Sequence, residues 1–177
     1  KEGREYSYPQ IVEMMGEAPA FRSMIDPDDE SFAAPEDMPS AIRDYCLAHG
    51  EPVPSSDACL VRCIFESLAL KYRLVLGRLK VLSGKNIERL HVIGGGSLNA
   101  ELNRMIASSL ALPVIAGPAE ATTAGNLMAQ FVGLGLASSM AGMRGTLASD
   151  ASLRRFEPEN TEAWDAAYSS FQKILEQ

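Results

Sequence analysis

Cysteine is scarce here: Cys46, Cys59 and Cys63 are the only three, too few and too clustered for the disulfide framework of a small secreted domain. No Cys-x-x-Cys unit or paired histidines complete a zinc site. Free thiols are the expectation, with a bridge from Cys46 to Cys63 as the alternative. Cys59 and Cys63, one turn apart on a single helix, resist disulfide geometry. Histidine is limited to His49 and His91, neither with a visible partner, so both are read as surface or satisfied residues rather than acid–base groups. Positive charge is also short: 16 Lys and Arg against 23 Asp and Glu leave a net −7, which disfavours a nucleic-acid footprint. Long apolar runs are missing, so a membrane span is not expected. The opening KEGREYSY lacks an initiator methionine and the tripartite pattern of a signal peptide. The expectation is a cytoplasmic segment cut from a longer protein, large enough for one core.

What is present reads first as helix. Ser7-Tyr8-Pro9-Gln10 has capping-box form and is followed by Ile11, Val12, Met14 and Met15. Residues 19 to 38 are rich in Pro and Asp but carry Phe21, Met24, Ile25 and Phe32, so an ordered loop is expected. Within it Asp26, Asp28, Asp29 and Glu30 lack the spaced ligands of a calcium loop and read as turn chemistry. After Pro39 a helix bears Ile42, Tyr45 and Cys46 and stops at Gly50. From about Ser56 to Leu82, Leu60, Val61, Ile64, Phe65, Leu68, Tyr72, Val75, Leu76, Leu79 and Leu82 recur at threes and fours. Arg62, Glu66, Lys71, Arg73 and Lys80 break the pattern, so this long helix is expected to lay one stripe on a core surface.

The period then changes. Arg89 to Ile93 reads as a short strand, Gly94-Gly95-Gly96 as a loop, and Asn99 to Leu112 as a helix. Pro113 to Ala116 reads as a second strand, and a helix runs from about Ala119 to Val132. Strands joined by a crossover helix are expected to be parallel. The tail carries expected helices near Met140 to Leu147 and Glu162 to Leu175, the latter placing Trp164, Tyr168 and Phe171 on a core-facing stripe.

Glycines at a strand-to-helix junction let backbone approach a ligand, and the helix N-terminus adds partial positive charge. Three in a row are costly for a mere turn. The dinucleotide fingerprint is disfavoured, because the sixth position from Gly94 is Asn99. A Walker loop is excluded, because Gly84-Lys85 is followed by Asn86 and lacks the upstream glycine. The residues alone therefore indicate a nucleotide of undefined type. Glu120 is expected at the start of its helix for dipole reasons rather than as a ligand. Ala121, Ala124 and Gly125 are read as a small-residue packing face.

HVIGGGSLNAELNRMIASSLALPVIAGPAEATTAGNLMAQ resembles the C-terminal half of the FGGY carbohydrate kinases. DPDDESFAAPEDMPSAI and PVPSSDACLVRCIFESLALKYR extend the resemblance over nearly the whole chain. Gly-Gly-Gly-Ser-x-Asn, followed about twenty residues later by Pro-x-Glu-Ala-Thr-x-x-Gly-Asn, is its most specific part.

The resemblance implies an α/β chain, a helix-rich part of an actin-like, ribonuclease-H-like ATPase domain with a short parallel sheet near 89–93 and 113–116. It implies ATP and Mg²⁺, and transfer of the γ-phosphoryl to the 1-hydroxyl of L-rhamnulose. Xylulose, fuculose or glycerol are the alternative substrates, and a nonenzymatic interaction module is the alternative role. It places Gly94, Gly95 and Gly96 against adenosine, with Gly95 foremost, and gives Ser97 and Asn99 polar contacts. The family's sugar pocket and catalytic aspartate belong to an N-terminal domain that nothing in residues 1–177 matches, so no catalytic residue is assigned here. The isolated segment is expected to be inactive and to self-associate through sheet edges left without partners.

Overall fold

The computed structural model describes residues 6–139, 142 and 153–176. Helix α1 (Tyr8–Gly16) begins where Gln10 Oε1 accepts from both the backbone N–H of Ser7 at 2.8 Å and its hydroxyl at 2.7 Å. The following segment is ordered, as its apolar residues imply, and is pinned by side chains of later helices. Phe21 N–H donates to Glu66 at 2.8 Å, Ile25 N–H to Ser67 Oγ at 3.0 Å, and Asp26 N–H to Tyr45 Oη at 3.2 Å. Asp29 starts a short 3-10 turn, Glu30–Phe32, by accepting from Ser31 N–H. Asp26 and Asp28 both pair with Lys71, at 2.6 and 2.9 Å. The acidic run therefore combines turn chemistry with an ion pair.

Helix α2 (Met38–Ala48) starts on Asp37, which accepts from Ser40 N–H at 2.9 Å. Beyond its end His49 stacks on Tyr45, ring centroids 3.9 Å apart, with Nδ1 2.9 Å from Tyr45 O. Helix α3 (Asp57–Ser83) is capped by Ser56 and stopped by Gly84 at φ +62°, a conformation only glycine adopts without strain. Its first two-thirds form the spine of the core, with Ala69 and Leu70 buried beside Ile42, Cys46, Ile106 and Phe171.

Two expectations for α3 change. Glu66, expected among the polar interruptions, is 1% exposed: Arg62 donates to it at 2.8 Å along one helical turn while Phe21 N–H satisfies its other oxygen. Conversely, Tyr72, Val75, Leu79 and Leu82 are exposed, the last by 83%. The reason is length. A 27-residue helix runs about 40 Å, whereas the 11 and 14 residues of its neighbours below span about 16 and 21 Å. The stripe outruns its cover.

Strand β1 (Leu90–Val92) leads through a 3-10 turn, Gly94–Leu98, into helix α4 (Ala100–Leu110) and strand β2 (Val114–Ala116). β1 and β2 are parallel, Leu90 opposite Val114 and Val92 opposite Ala116. Helix α5 (Ala121–Gly133) follows. The sheet then departs from expectation: β3 (Arg154–Phe156) pairs antiparallel with β2, giving the order β1-β2-β3. β2 is thus closed on both sides, and among the described residues the outer edges of β1 and β3 border no further strand. Helix α6 (Thr161–Ile174) buries Trp164 and Phe171. Its Tyr168 lies under the Arg73 guanidinium, 4.4 Å from the ring centroid, and Arg73 also pairs with Asp165 at 2.7 Å. The helix expected near 140–147 lies, Gly142 apart, outside the described residues.

The three cysteines are free thiols, Cys46 and Cys63 buried and Cys59 half-buried. Cys46 and Cys63 are hydrogen-bonded neighbours, and that bond together with burial pushes the Cys63 thiol up. The alternative Cys46–Cys63 bridge is therefore not the state described.

Candidate functional site

The parallel strands end side by side, and the loops that leave them are stitched together. Gly117 N–H donates to Val92 O at 2.8 Å, and Gly94 N–H to Pro118 O at 3.2 Å. Helices α4 and α5 begin at this rim, so the loops occupy the crevice beyond the carboxyl ends of the strands, where open α/β sheets place their ligands.

The three glycines are not equivalent. Gly94 has φ +72°, so the turn itself requires glycine there. Gly96 stands close over β1, a Cβ there lying 3.5 Å from Val92 Cγ1, an ordinary contact. Gly95 is exposed, has no positive φ, and a Cβ built on it meets nothing within 4 Å. The fold does not require glycine at 95. As the second residue of the 3-10 turn it also has no carbonyl within the turn for its N–H.

The polar candidates face inward. Ser97 is buried, and its hydroxyl donates to Gly94 O at 2.7 Å. Asn99 Oδ1 caps α4 by accepting from Leu102 N–H at 2.9 Å, and Tyr8 Oη also donates to it. Burial pushes the Tyr8 phenol up, against a backbone hydrogen bond to Glu101, and so keeps it a donor. Ser97 and Asn99 thus shape the loop. Three residues around it went unread in the sequence. Asn103 Nδ2 donates to Gly96 O at 3.0 Å and Asn99 O at 2.8 Å. Arg154 Nη2 donates to Ser97 O at 2.7 Å, and Tyr8 arrives from α1. The i, i+4 repeat of asparagine from 99 to 103 was a local signal; Tyr8 and Arg154 had none.

Glu120 stands at the cap of α5 and is exposed, with Thr123 Oγ1 3.5 Å from its carboxylate. The packing role read for Gly125 is corrected: a Cβ there meets nothing within 4 Å, because α5 buries only Met128. His91 is exposed on β1. Among the described residues no three His, Cys, Asp or Glu side chains gather to hold a metal, and no helix is long and apolar enough to cross a membrane.

Comparison with known proteins agrees with this architecture. Residues 1–134 match the family model described as the FGGY family of carbohydrate kinases, C-terminal domain. The rhamnulokinase of Bacteroides thetaiotaomicron is 49% identical over 169 residues, covering 96% of this chain and 35% of that protein. The rhamnulokinase of Pectobacterium carotovorum is 44% identical over 164 residues, 93% of this chain and 33% of the relative. The chain therefore spans about a third of these relatives' length. Among solved structures, the xylulose kinase of Rhodospirillum rubrum superposes with a TM-score of 0.64 at 19% identity, over 99% of this chain and 35% of that one. The fold is that of a sugar kinase's actin-like ATPase domain. With the family model matched over most of its length, the chain belongs to the FGGY family of carbohydrate kinases.

Proposed function

We propose that this chain is the nucleotide-side part of a kinase that transfers the γ-phosphoryl of ATP, as its Mg²⁺ complex, to the 1-hydroxyl of L-rhamnulose. The observation that carries the reading is Gly95, a residue without a side chain where the fold has room for one and needs none. Its bare backbone suits the close approach of an adenosine, at a rim where two helices begin. Gly94 and Gly96 flank that contact, and Ser97 and Asn99 support it from within. Rhamnulose is favoured among ketoses by the two curated relatives, both named rhamnulokinase.

Among the described residues no cluster of carboxylates stands as a holder for the metal, and Mg²⁺ is assigned to the phosphates. Sugar binding and the general base are assigned to the remainder of the parent protein, beyond residues 1–177. Phosphoryl transfer depends on positioning and charge stabilisation rather than on covalent chemistry, so the chain alone is expected to turn over no sugar. Dependence on ATP makes the cytoplasm the place of action.

The test is ATP titration into the full-length kinase carrying Gly95→Val. Affinity is expected to fall at least about tenfold, since the new side chain projects into the space left bare, while thermal unfolding is unchanged. Unaltered affinity defeats the assignment. ADP release with a panel of ketoses identifies the sugar.

A further inference from the structure

The Gly94–Leu98 turn is held from behind. Asn103 Nδ2 faces three carbonyl oxygens: Asn99 at 2.8 Å, Gly96 at 3.0 Å and Ser97 at 3.4 Å. Arg154 Nη2 takes Ser97 O at 2.7 Å and Leu98 O at 3.3 Å. Every carbonyl from Gly96 to Asn99 is thereby met by a donor from α4 or β3. Asn103 is 1% exposed, and its Oδ1 is the one buried side-chain polar atom without a partner among the described residues. Turning the amide over would aim that oxygen at three other oxygens, so the loop dictates its orientation. A buried orphan acceptor is costly, and an apolar side chain of the same shape avoids that cost. What such a side chain lacks is the ability to draw the loop carbonyls inward.

We propose that Asn103 and Arg154 are positioning residues of the nucleotide site, an inference that rests on the reading of the glycine loop as that site. They turn the carbonyl oxygens of residues 96–99 away from the ligand, so the face offered to an adenosine is bare glycine backbone rather than a row of carbonyl oxygens carrying partial negative charge. Arg154 is supplied by β3, outside the residues matched to the family model, so the tail takes part in nucleotide binding without touching it. Its cationic donor makes the stronger of the two clamps.

The experiment uses the full-length kinase with Arg154→Ala, Arg154→Lys, Asn103→Leu and Gly95→Val, measuring KM for ATP, KM for the sugar, kcat and the unfolding midpoint of each. For Arg154→Ala the KM for ATP is expected to rise about tenfold, with the sugar KM and the midpoint unchanged. Arg154→Lys, which keeps one charged donor, is expected to recover part of that loss, and Asn103→Leu to move the same way as Arg154→Ala. If Asn103→Leu fails to fold, exposed Arg154 decides the matter alone. An ATP KM unmoved by Arg154→Ala but raised by Gly95→Val overturns the positioning role and leaves the loop's assignment standing. An ATP KM unmoved by Gly95→Val removes both. Sugar and ATP constants rising in parallel for Arg154→Ala show a general loosening and also overturn the inference.

Discussion

The core built on the first two-thirds of α3 and the region built on α5 treat the same kinds of residue in opposite ways. Around α3, polar side chains are buried and matched: Glu66 by Arg62 and Phe21 N–H, Ser67 by Ile25 N–H, Ser109 by Ala69 O. Around α5, apolar side chains are left in the open. Thirteen residues bury only Met128, and Leu127, Phe131, Leu134 and Leu136 stay exposed in or just after it, as do Ile93 and Leu98 at the glycine loop. Among the described residues the one unmatched buried side-chain oxygen, on Asn103, also lies behind the glycine loop. Stability is concentrated around the first two-thirds of α3, while exposed apolar surface lies along α5 and at the far end of α3.

The largest break in that contrast comes from the core. Phe171 is fully buried, and Phe171→Ala is expected to destabilise the chain by about 3–5 kcal/mol through lost burial and the cavity left behind. Urea unfolding measures it, and a loss below about 1 kcal/mol would show that α6 is not part of the core. Next comes the buried ion pair. Glu66→Ala leaves Arg62 Nε and Phe21 N–H without their acceptor, although Arg62 Nη1 keeps Ala18 O, a loss of about 2–3 kcal/mol. Burial lifts the Glu66 carboxyl above its ordinary value, despite the opposing effects of Arg62 and Phe21 N–H. The folded state therefore holds its proton more tightly than the unfolded state does. Its contribution is full below the unfolded value and shrinks as pH rises through the folded one, and Glu66→Gln should remove that decline from the stability–pH curve.

The same contrast explains what could be read in advance. Helix α3, both parallel strands and α4 carry their periodicity in adjacent residues, so pattern alone located them. Strand β3 was hidden because Arg154-Arg155-Phe156 is three residues long, twice charged and without alternation; it exists only through pairing with β2. The glycines were visible, but the inward turn of Ser97 and the clamps from Tyr8 and Arg154 depend on contacts 91 and 57 residues apart in sequence. Glu66 was misread because helical spacing marks a carboxylate as polar without showing that a loop N–H will meet it. The small-residue face of α5, Ala121, Ala124 and Gly125, fails in the other direction: spacing identifies a packing face but not whether anything covers it.

The uncovered α5 face is the next place to break the contrast. Leu134→Ser with Leu136→Ser should change unfolding free energy by no more than about 0.5 kcal/mol, since both side chains are already in water. We propose that the isolated chain self-associates, through this face and the open sheet edges. Light scattering should therefore show less association in the double variant. A chain monomeric at high concentration before any substitution would show that the edges and face need no partner.

The smallest effect is the charge component of one helix cap. Asp37 accepts from Ser40 N–H at the start of α2, and its bonds to Ser40, side chain first and backbone second, hold its carboxyl below the ordinary aspartate value. The sign follows from linkage. The unfolded state binds the proton more readily, so the cap's charge stabilises α2 above the unfolded value and is lost as pH falls through the lower, folded one. Asp37→Ala should therefore lower the urea midpoint most near neutral pH, and the gap from the unmodified chain should narrow on acidification toward about pH 3. It should not close, because a protonated carboxyl still accepts from Ser40 while alanine does not. A gap independent of pH would mean that the carboxylate caps α2 through its oxygen alone.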